Sequence, residues 1–426
     1  MTRNTQISRR GILRGLGLGL SGAVLGGPAF LLSRALAASS ATKGLKFIFV
    51  YNLGGWDPLT VFIPAYGQSS IEMEVGSTQS MMGSIPFVDA ASRPSVRRFL
   101  ELWHARTLLL NGVNVPSLAH DVCMRLLFTG ASSLERSDWA TLLADATREQ
   151  YTLPHLVLSG LAYPGSRGSA VSRVGVNGQL DGLLSGALMD GSDIKTGGRP
   201  NLLEERILDS YLSRRLAAKA DAAGSAQGVM RGFEESHARA VGLKDRQYDM
   251  DFLPGYSLFA QLGPAVDALS LGIARCVTVQ SSGVWDTHED NSDQAGLFEG
   301  LFAGLLDLME RLSTTPGEGD GALADETVVV VVSEMGRTPR FNTSGGRDHW
   351  PYTSVMTVGP GLTGDRVVGG VDPYYYGLPV DPASGELYEG GELITAETLG
   401  ATLLTLAGLD SAGYLPNIVP LSGVLV

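Results

Sequence analysis

Six short apolar runs punctuate the chain, at 46–53, 106–111, 155–159, 275–280, 326–332 and 354–358. The runs Phe47-Ile48-Phe49-Val50 and Val328 to Val332 are continuous rather than alternating. Strands of that kind are buried on both faces, which is the pattern of a parallel sheet. Between the runs, apolar residues recur at helical spacing over Ser95–Trp103, Val122–Thr129, Trp139–Ala146, Ser292–Leu312 and Ala396–Ala407. Strand and helix alternate, which predicts an α/β fold with a doubly wound, mostly parallel sheet. The stretch from about 171 to 269 breaks the alternation. It has few strand signals, and its polar-faced segments Asn201–Ala223 and Phe233–Gln247 predict a helical insertion or cap over the strand ends.

Three of the apolar runs end in a Gly-bearing turn followed by carboxylates or histidines. The first leads into Gly54-Gly55-Trp56-Asp57, and the fourth into Gly283-Val284-Trp285-Asp286-Thr287-His288. The fifth leads into Ser333-Glu334-Met335-Gly336-Arg337, with Gly345-Gly346-Arg347-Asp348-His349 close behind. In open α/β sheets, sites form beyond the carboxyl ends of the strands. Carboxylate oxygen and imidazole nitrogen are ordinary ligands of zinc, manganese or iron. The residue pattern therefore outlines a metal-assisted active site.

Each residue has a competing role. Asp286 and His288, two apart on a loop, can share one ion, or Asp286 can cap the helix that begins near Ser292. Glu334 behind its valines needs a cation or an ion-pair partner, and Arg337 is available three residues on. Arg337 or Arg347 can instead meet a phosphate or sulfate group, which suits a guanidinium fork. Asp57 precedes Pro58, so it is a ligand or an N-cap. His120 is a ligand or an acid–base group, and Ser117 is a nucleophile or a turn serine behind Pro116.

The N-terminal segment changes the picture of where the protein works. Ser8-Arg9-Arg10-Gly11-Ile12-Leu13-Arg14 precedes a Gly-rich apolar stretch from about Leu16 to Leu32, and Ala35-Leu36-Ala37 supplies a small-residue cleavage site. That order is expected of a twin-arginine signal peptide over residues 1–37, leaving one domain over 38–426. The expected location is periplasmic or secreted, with the twin-arginine translocase as a partner during export. Residues 1–37 carry five arginines and no acid, so the remainder has 27 basic against 44 acidic side chains, a net charge of −17. Such a balance argues against nucleic acid and anionic membrane surfaces as partners. No later stretch is long and apolar enough for a stable membrane span. Cys123 and Cys276 form no CxxC motif, which argues against a thiolate zinc or redox site.

Taken together, the twin-arginine segment, Gly-Gly-x-Asp, Asp-Thr-His, Ser-Glu-x-Gly-Arg, Gly-Gly-x-Asp-His and the ending Ile394-Thr395-Ala396-Glu397-Thr398-Leu399-Gly400-Ala401-Thr402 resemble the exported "domain of unknown function 1501" family. That family is related to the alkaline phosphatase and sulfatase superfamily. The resemblance implies an alkaline-phosphatase-like fold and one or two divalent ions (Zn, Mn, Ca or Mg) held by Asp57, Asp286, His288, Glu334, Asp348 and His349. It further implies a small anionic ester as substrate, hydrolysed by metal-activated water or a serine, with His120, Ser117 and Arg337 as catalytic candidates. Two departures stand out: the family commonly has Ser-His where this chain has Ala119-His120, and Glu334-Met335 replaces the superfamily's Asp-His. They motivate the alternative of a non-catalytic binding or assembly protein that keeps the fold.

Overall fold

The structure is a computed structural model that describes residues 44–174, 187–190, 193–196, 202–220, 227–244 and 257–426. The expected signal peptide lies outside the described residues. An eight-stranded sheet forms the centre. In chain order its strands are β1 (Lys46–Asn52), β2 (Thr107–Asn114), β3 (His155–Val157), β4 (Val171–Arg173), β5 (Cys276–Gln280), β6 (Thr327–Ser333), β7 (Tyr352–Val358) and β8 (Arg366–Gly369). The spatial order is β8-β2-β7-β6-β1-β5-β3-β4. β1 pairs in parallel with both β5 and β6, while β7 runs antiparallel between β6 and β2. The sheet is thus mostly parallel, as its continuous apolar runs predict.

Every residue of β1 and β6 is buried. Alternate side chains enter two separate cores. Ile48, Val50, Val329 and Val331 face one layer, with α1 (Pro94–Trp103), α4 (Leu258–Ser270) and α5 (Asp293–Thr314) packed against them. Phe47, Phe49, Val328 and Val330 face the other, with α2 (His120–Thr129), α3 (Trp139–Asp145) and α6 (Ala396–Leu406). Full burial of each such side chain stabilises the fold by roughly 1.5–3 kcal/mol, and strands covered on both faces collect that gain at every position.

The stretch expected to be an insertion contains the helices Leu202–Ala220 and Gln227–Lys244 and a hairpin of Ala187–Asp190 with Asp193–Thr196. Two of its parts belong to the main body. β4 is the edge strand beside β3, and α4 buries Leu258, Leu262, Ala265, Val266 and Leu269 in the first core. β4 is only three residues long, and α4 carries Pro264; both features blunt the pattern in the sequence. Among the described residues, no helix is long and apolar enough to cross a membrane. Cys123 and Cys276 are buried and free.

Candidate metal site

The carboxyl ends of the three central parallel strands β1, β5 and β6 open at one edge. Their following loops, the loop before β7 and the start of α2 meet there. Backbone hydrogen bonds stitch the loops together: Trp285 N–H donates to Leu53 O at 3.1 Å, and Arg347 N–H to Thr287 O at 3.1 Å. Two glycines permit the approach. Gly54 has φ +120°, and a Cβ there would lie 2.6 Å from Asp286 N. A Cβ on Gly346 would lie 2.0 Å from His288 O. Neither position tolerates a side chain without moving a loop.

Asp286 is the centre of the arrangement. His288 Nε2 and His349 Nε2 lie 3.0 and 3.2 Å from its Oδ1, and His120 Nε2 lies 3.4 Å from its Oδ2. The ligand atoms of His120, Asp286 and His349 all fall within 4.8 Å of one another. His288 Nε2 stands 2.9 Å from His349 Nε2.

The far nitrogen of each ring is tied to an oxygen. His120 Nδ1 donates to Glu334 Oε1 at 2.8 Å, His349 Nδ1 to Leu118 O at 2.6 Å, and His288 Nδ1 to Asp348 Oδ1 at 3.1 Å. Carboxylates and carbonyls only accept, so each Nδ1 carries a proton, and an Nε2 that gives up its own proton presents a lone pair inward. The Nε2 atoms of His120 and His349 and the Asp286 carboxylate then share one spot, with His288 beside them. Among the described residues, the buried His120 Nε2 has no hydrogen-bond partner, its nearest carboxylate oxygen being Asp286 Oδ2 at 3.4 Å. A divalent cation satisfies this donor set, and the tethered Nδ1 atoms are the outer partners that metal-bound histidines ordinarily have. With neutral imidazoles, Asp286, Glu334 and Arg337 leave one negative charge for such an ion to balance, while the exposed Asp348 is solvated.

Electrostatics follow the contacts. The Glu334 hydrogen bond raises the His120 pKa above its ordinary value against the effect of burial, with the charges of Glu334 and Asp286 adding to it. Burial depresses that of His349 despite its bonds to Leu118 O and Asp286. Burial works to raise the Asp286 carboxyl, but the hydrogen bond and charge of Arg337, with His349, hold it below its ordinary value. The hydrogen bond from His288, with that from Asn342, lowers Asp348.

The other expected site residues take different places. Arg337 is fully buried and reaches Asp286 Oδ1 at 2.6 Å. Its remaining donor capacity goes to the carbonyls of Gly54, Gly55, Trp285 and Arg347. It orients Asp286 and, being fully buried, does not face an anion in the open part of the cluster. Arg347 is likewise buried, donating to Thr338 O and Glu72 O and lying 3.1 Å from Asp57 Oδ2. Asp57 stands apart from the histidines. It caps the turn Pro58–Val61 through Leu59 N–H, and it also accepts from Asn291 Nδ2 at 2.8 Å. Ser117 Oγ accepts from Ala119 N–H at 3.2 Å, in the turn before α2. His120, expected as a ligand or acid–base group, joins the cluster, while Glu334 and Asp348 hold histidines. The Leu118 carbonyl and Gly54 N–H complete the setting; no side-chain pattern marks backbone groups in a sequence.

Residues 269–412 match a family model described as Protein of unknown function (DUF1501), the family that the sequence motifs resemble. The matched span includes Asp286, His288, Glu334, Arg337, Asp348 and His349. No curated protein sequence matches this chain significantly. Three solved structures are similar at a TM-score of 0.33. The PH0037 protein from Pyrococcus horikoshii is 12% identical over 85% of this chain and 97% of its own. BT4656, solved with its substrate D-glucosamine-2-N,6-O-disulfate, is 9% identical over 86% of this chain and 77% of its own. The phosphonate monoester hydrolase of Agrobacterium radiobacter is 12% identical over 86% of this chain and 74% of its own.

Proposed function

We propose that this protein is an exported, metal-dependent hydrolase of phosphate or sulfate esters. One observation carries the reading: three imidazole Nε2 atoms converge on Asp286 while every Nδ1 is tethered to an oxygen. His120, Asp286 and His349 would hold one divalent ion, with His288 beside them. A bound ion supplies Lewis-acid polarisation and lowers the pKa of water. The side chains of His288 and Asp286 are 39% and 33% exposed, so the cluster is open to solvent and to a small ester, as catalytic sites require and closed structural sites do not. Arg337 keeps the Asp286 carboxylate ionised and oriented. His288, held by the surface carboxylate Asp348, is the imidazole best placed to exchange a proton with solvent or with a leaving group.

The test is release of phosphate or sulfate from simple aryl esters by protein loaded in turn with zinc, manganese or iron. Turnover that disappears in His349→Ala supports the proposal, and no turnover with any loaded metal overturns it. A second reading has its own support: Ser117 bonds to the turn before α2, and both arginines are consumed by the fold. Metal bound tightly without ester turnover would assign the chain to a binding or assembly role.

Export is part of the proposal and rests on Ser8–Arg14. Replacing Arg9 and Arg10 by lysine should leave the protein in the cytoplasm. Periplasmic protein at the wild-type level in that variant would rule out the twin-arginine route.

A further inference from the structure

We infer that Glu334 is a positioning residue for the cation, acting through His120 rather than as a ligand. The inference rests on the metal-binding reading above. Glu334 is wholly buried. Its Oε1 accepts from Gly54 N–H at 2.9 Å and from His120 Nδ1 at 2.8 Å. Its Oε2 lies 3.3 Å from both Tyr51 Oη and Ser333 Oγ. The sequence offers Arg337 as its counter-charge, yet that guanidinium pairs with Asp286. Among the described residues, no lysine or arginine forms an ion pair with Glu334, and His120 is its partner instead.

A buried carboxylate without a cation is strongly disfavoured. Here the charge reaches one only through the imidazole: Nδ1–H faces Glu334, and the unpartnered Nε2 faces the Asp286 cluster. A cation on Nε2 therefore balances Glu334 at one remove. Glu334 in turn fixes the His120 tautomer, fixes the ring plane and strengthens Nε2 as a donor. His288 has the same relationship to Asp348, but that carboxylate is 60% exposed and solvated, so its charge needs no such balance.

The local hydrogen bonds supply a clean variant. Ser333 Oγ donates to Asn52 O at 2.7 Å and accepts from Trp56 N–H at 2.9 Å, which leaves one lone pair to accept from an amide, and the Tyr51 hydroxyl can rotate. Glu334→Gln can therefore keep its neighbours while losing its charge, whereas Glu334→Ala loses both. The experiment measures Zn²⁺ affinity of the purified full chain by chelator competition for wild type, Glu334→Gln, Glu334→Ala and Asp348→Asn. The visible spectrum of each Co²⁺-substituted protein is recorded beside it. The expected result is a loss of affinity of about 10-fold in Glu334→Gln and about 100-fold in Glu334→Ala, with a smaller loss in Asp348→Asn. The Co²⁺ spectrum of Glu334→Gln should keep the wild-type coordination number. Wild-type affinity in Glu334→Gln would overturn the inference and leave Glu334 a structural residue. A Co²⁺ spectrum showing one ligand fewer would overturn it by making Glu334 a ligand. Wild type that binds neither ion would remove the metal-binding reading, and this inference with it.

Discussion

Asp57 and Asp286 stand in nearly the same local setting. Each directly follows a buried tryptophan, beyond the carboxyl end of neighbouring parallel strands, and each lies about 3 Å from a buried arginine, Arg347 at 3.1 Å and Arg337 at 2.6 Å. Trp56 and Trp285 even pack on one ring, Phe298, at 5.8 and 4.9 Å. The outcomes diverge at the carboxylates. Asp57 is 1% exposed and satisfied by a helix cap, Asn291 and Arg347. Asp286 is 33% exposed and faces three imidazoles. A Trp-Asp strand end is therefore a framework, and what fills the space in front of the carboxylate decides its role. In front of Asp57 lies a helix turn; in front of Asp286 lie His288 and His349 from two loops and His120 from the start of α2.

The comparison can be broken experimentally, starting with its largest effect. Asp57→Ala strands Arg347 in the interior and should destabilise the protein by about 3–5 kcal/mol, read by urea denaturation, while the folded fraction still binds metal. Loss of metal at an unchanged midpoint would move Asp57 into the site. Next, zinc at 100 times its Kd should stabilise wild type by about 2.7 kcal/mol. It should not stabilise His349→Ala, whose metal-free stability stays close to that of wild type. An equal zinc-induced shift in both proteins would separate His349 from the ion.

A smaller effect tests the shared framework. Trp56 Nε1–H donates to Thr353 Oγ1 at 2.8 Å in the interior. Thr353→Val leaves that donor unsatisfied and should cost about 1–3 kcal/mol, with metal affinity unchanged. A drop in affinity would show that the tryptophans position the metal site as well as the sheet.

Smallest is the contribution of the thiols. Burial pushes Cys123 up to about 11 and Cys276 up to about 12. A folded pKa above the unfolded one means this contribution is complete below the ordinary thiol range and is lost as pH rises toward those values. Native protein at pH 8 should resist iodoacetamide and react at both cysteines only when unfolded; rapid native labelling would contradict the burial of both.

All six apolar runs of the sequence are strands of the sheet, because strands buried on both faces leave a continuous signature. β8 and β4, the two edge strands, are largely half-buried or exposed, so they leave none, whereas the equally short β3 is fully buried. In the site, Asp286, His288 and His349 are visible as residues because their loops carry glycines and histidine is scarce. Their partners are not visible. Arg337 lies three residues from Glu334 yet pairs with Asp286, 51 positions away, and Glu334 finds His120 across 214 positions. Local spacing cannot forecast such pairings, which depend on how the loops cross above the sheet. The burial of Arg337 and Arg347 is hidden for the same reason: the backbone carbonyls that absorb their donors belong to other loops.

The central claim is that the histidine cluster holds a cation. Its most direct test is the metal content of the exported protein by mass spectrometry, with His349→Ala and Asp57→Asn measured beside it. About one divalent ion per chain should be present in wild type and in folded Asp57→Asn, and absent from His349→Ala. No bound ion in wild type, or an ion retained in His349→Ala and lost in Asp57→Asn, would contradict it.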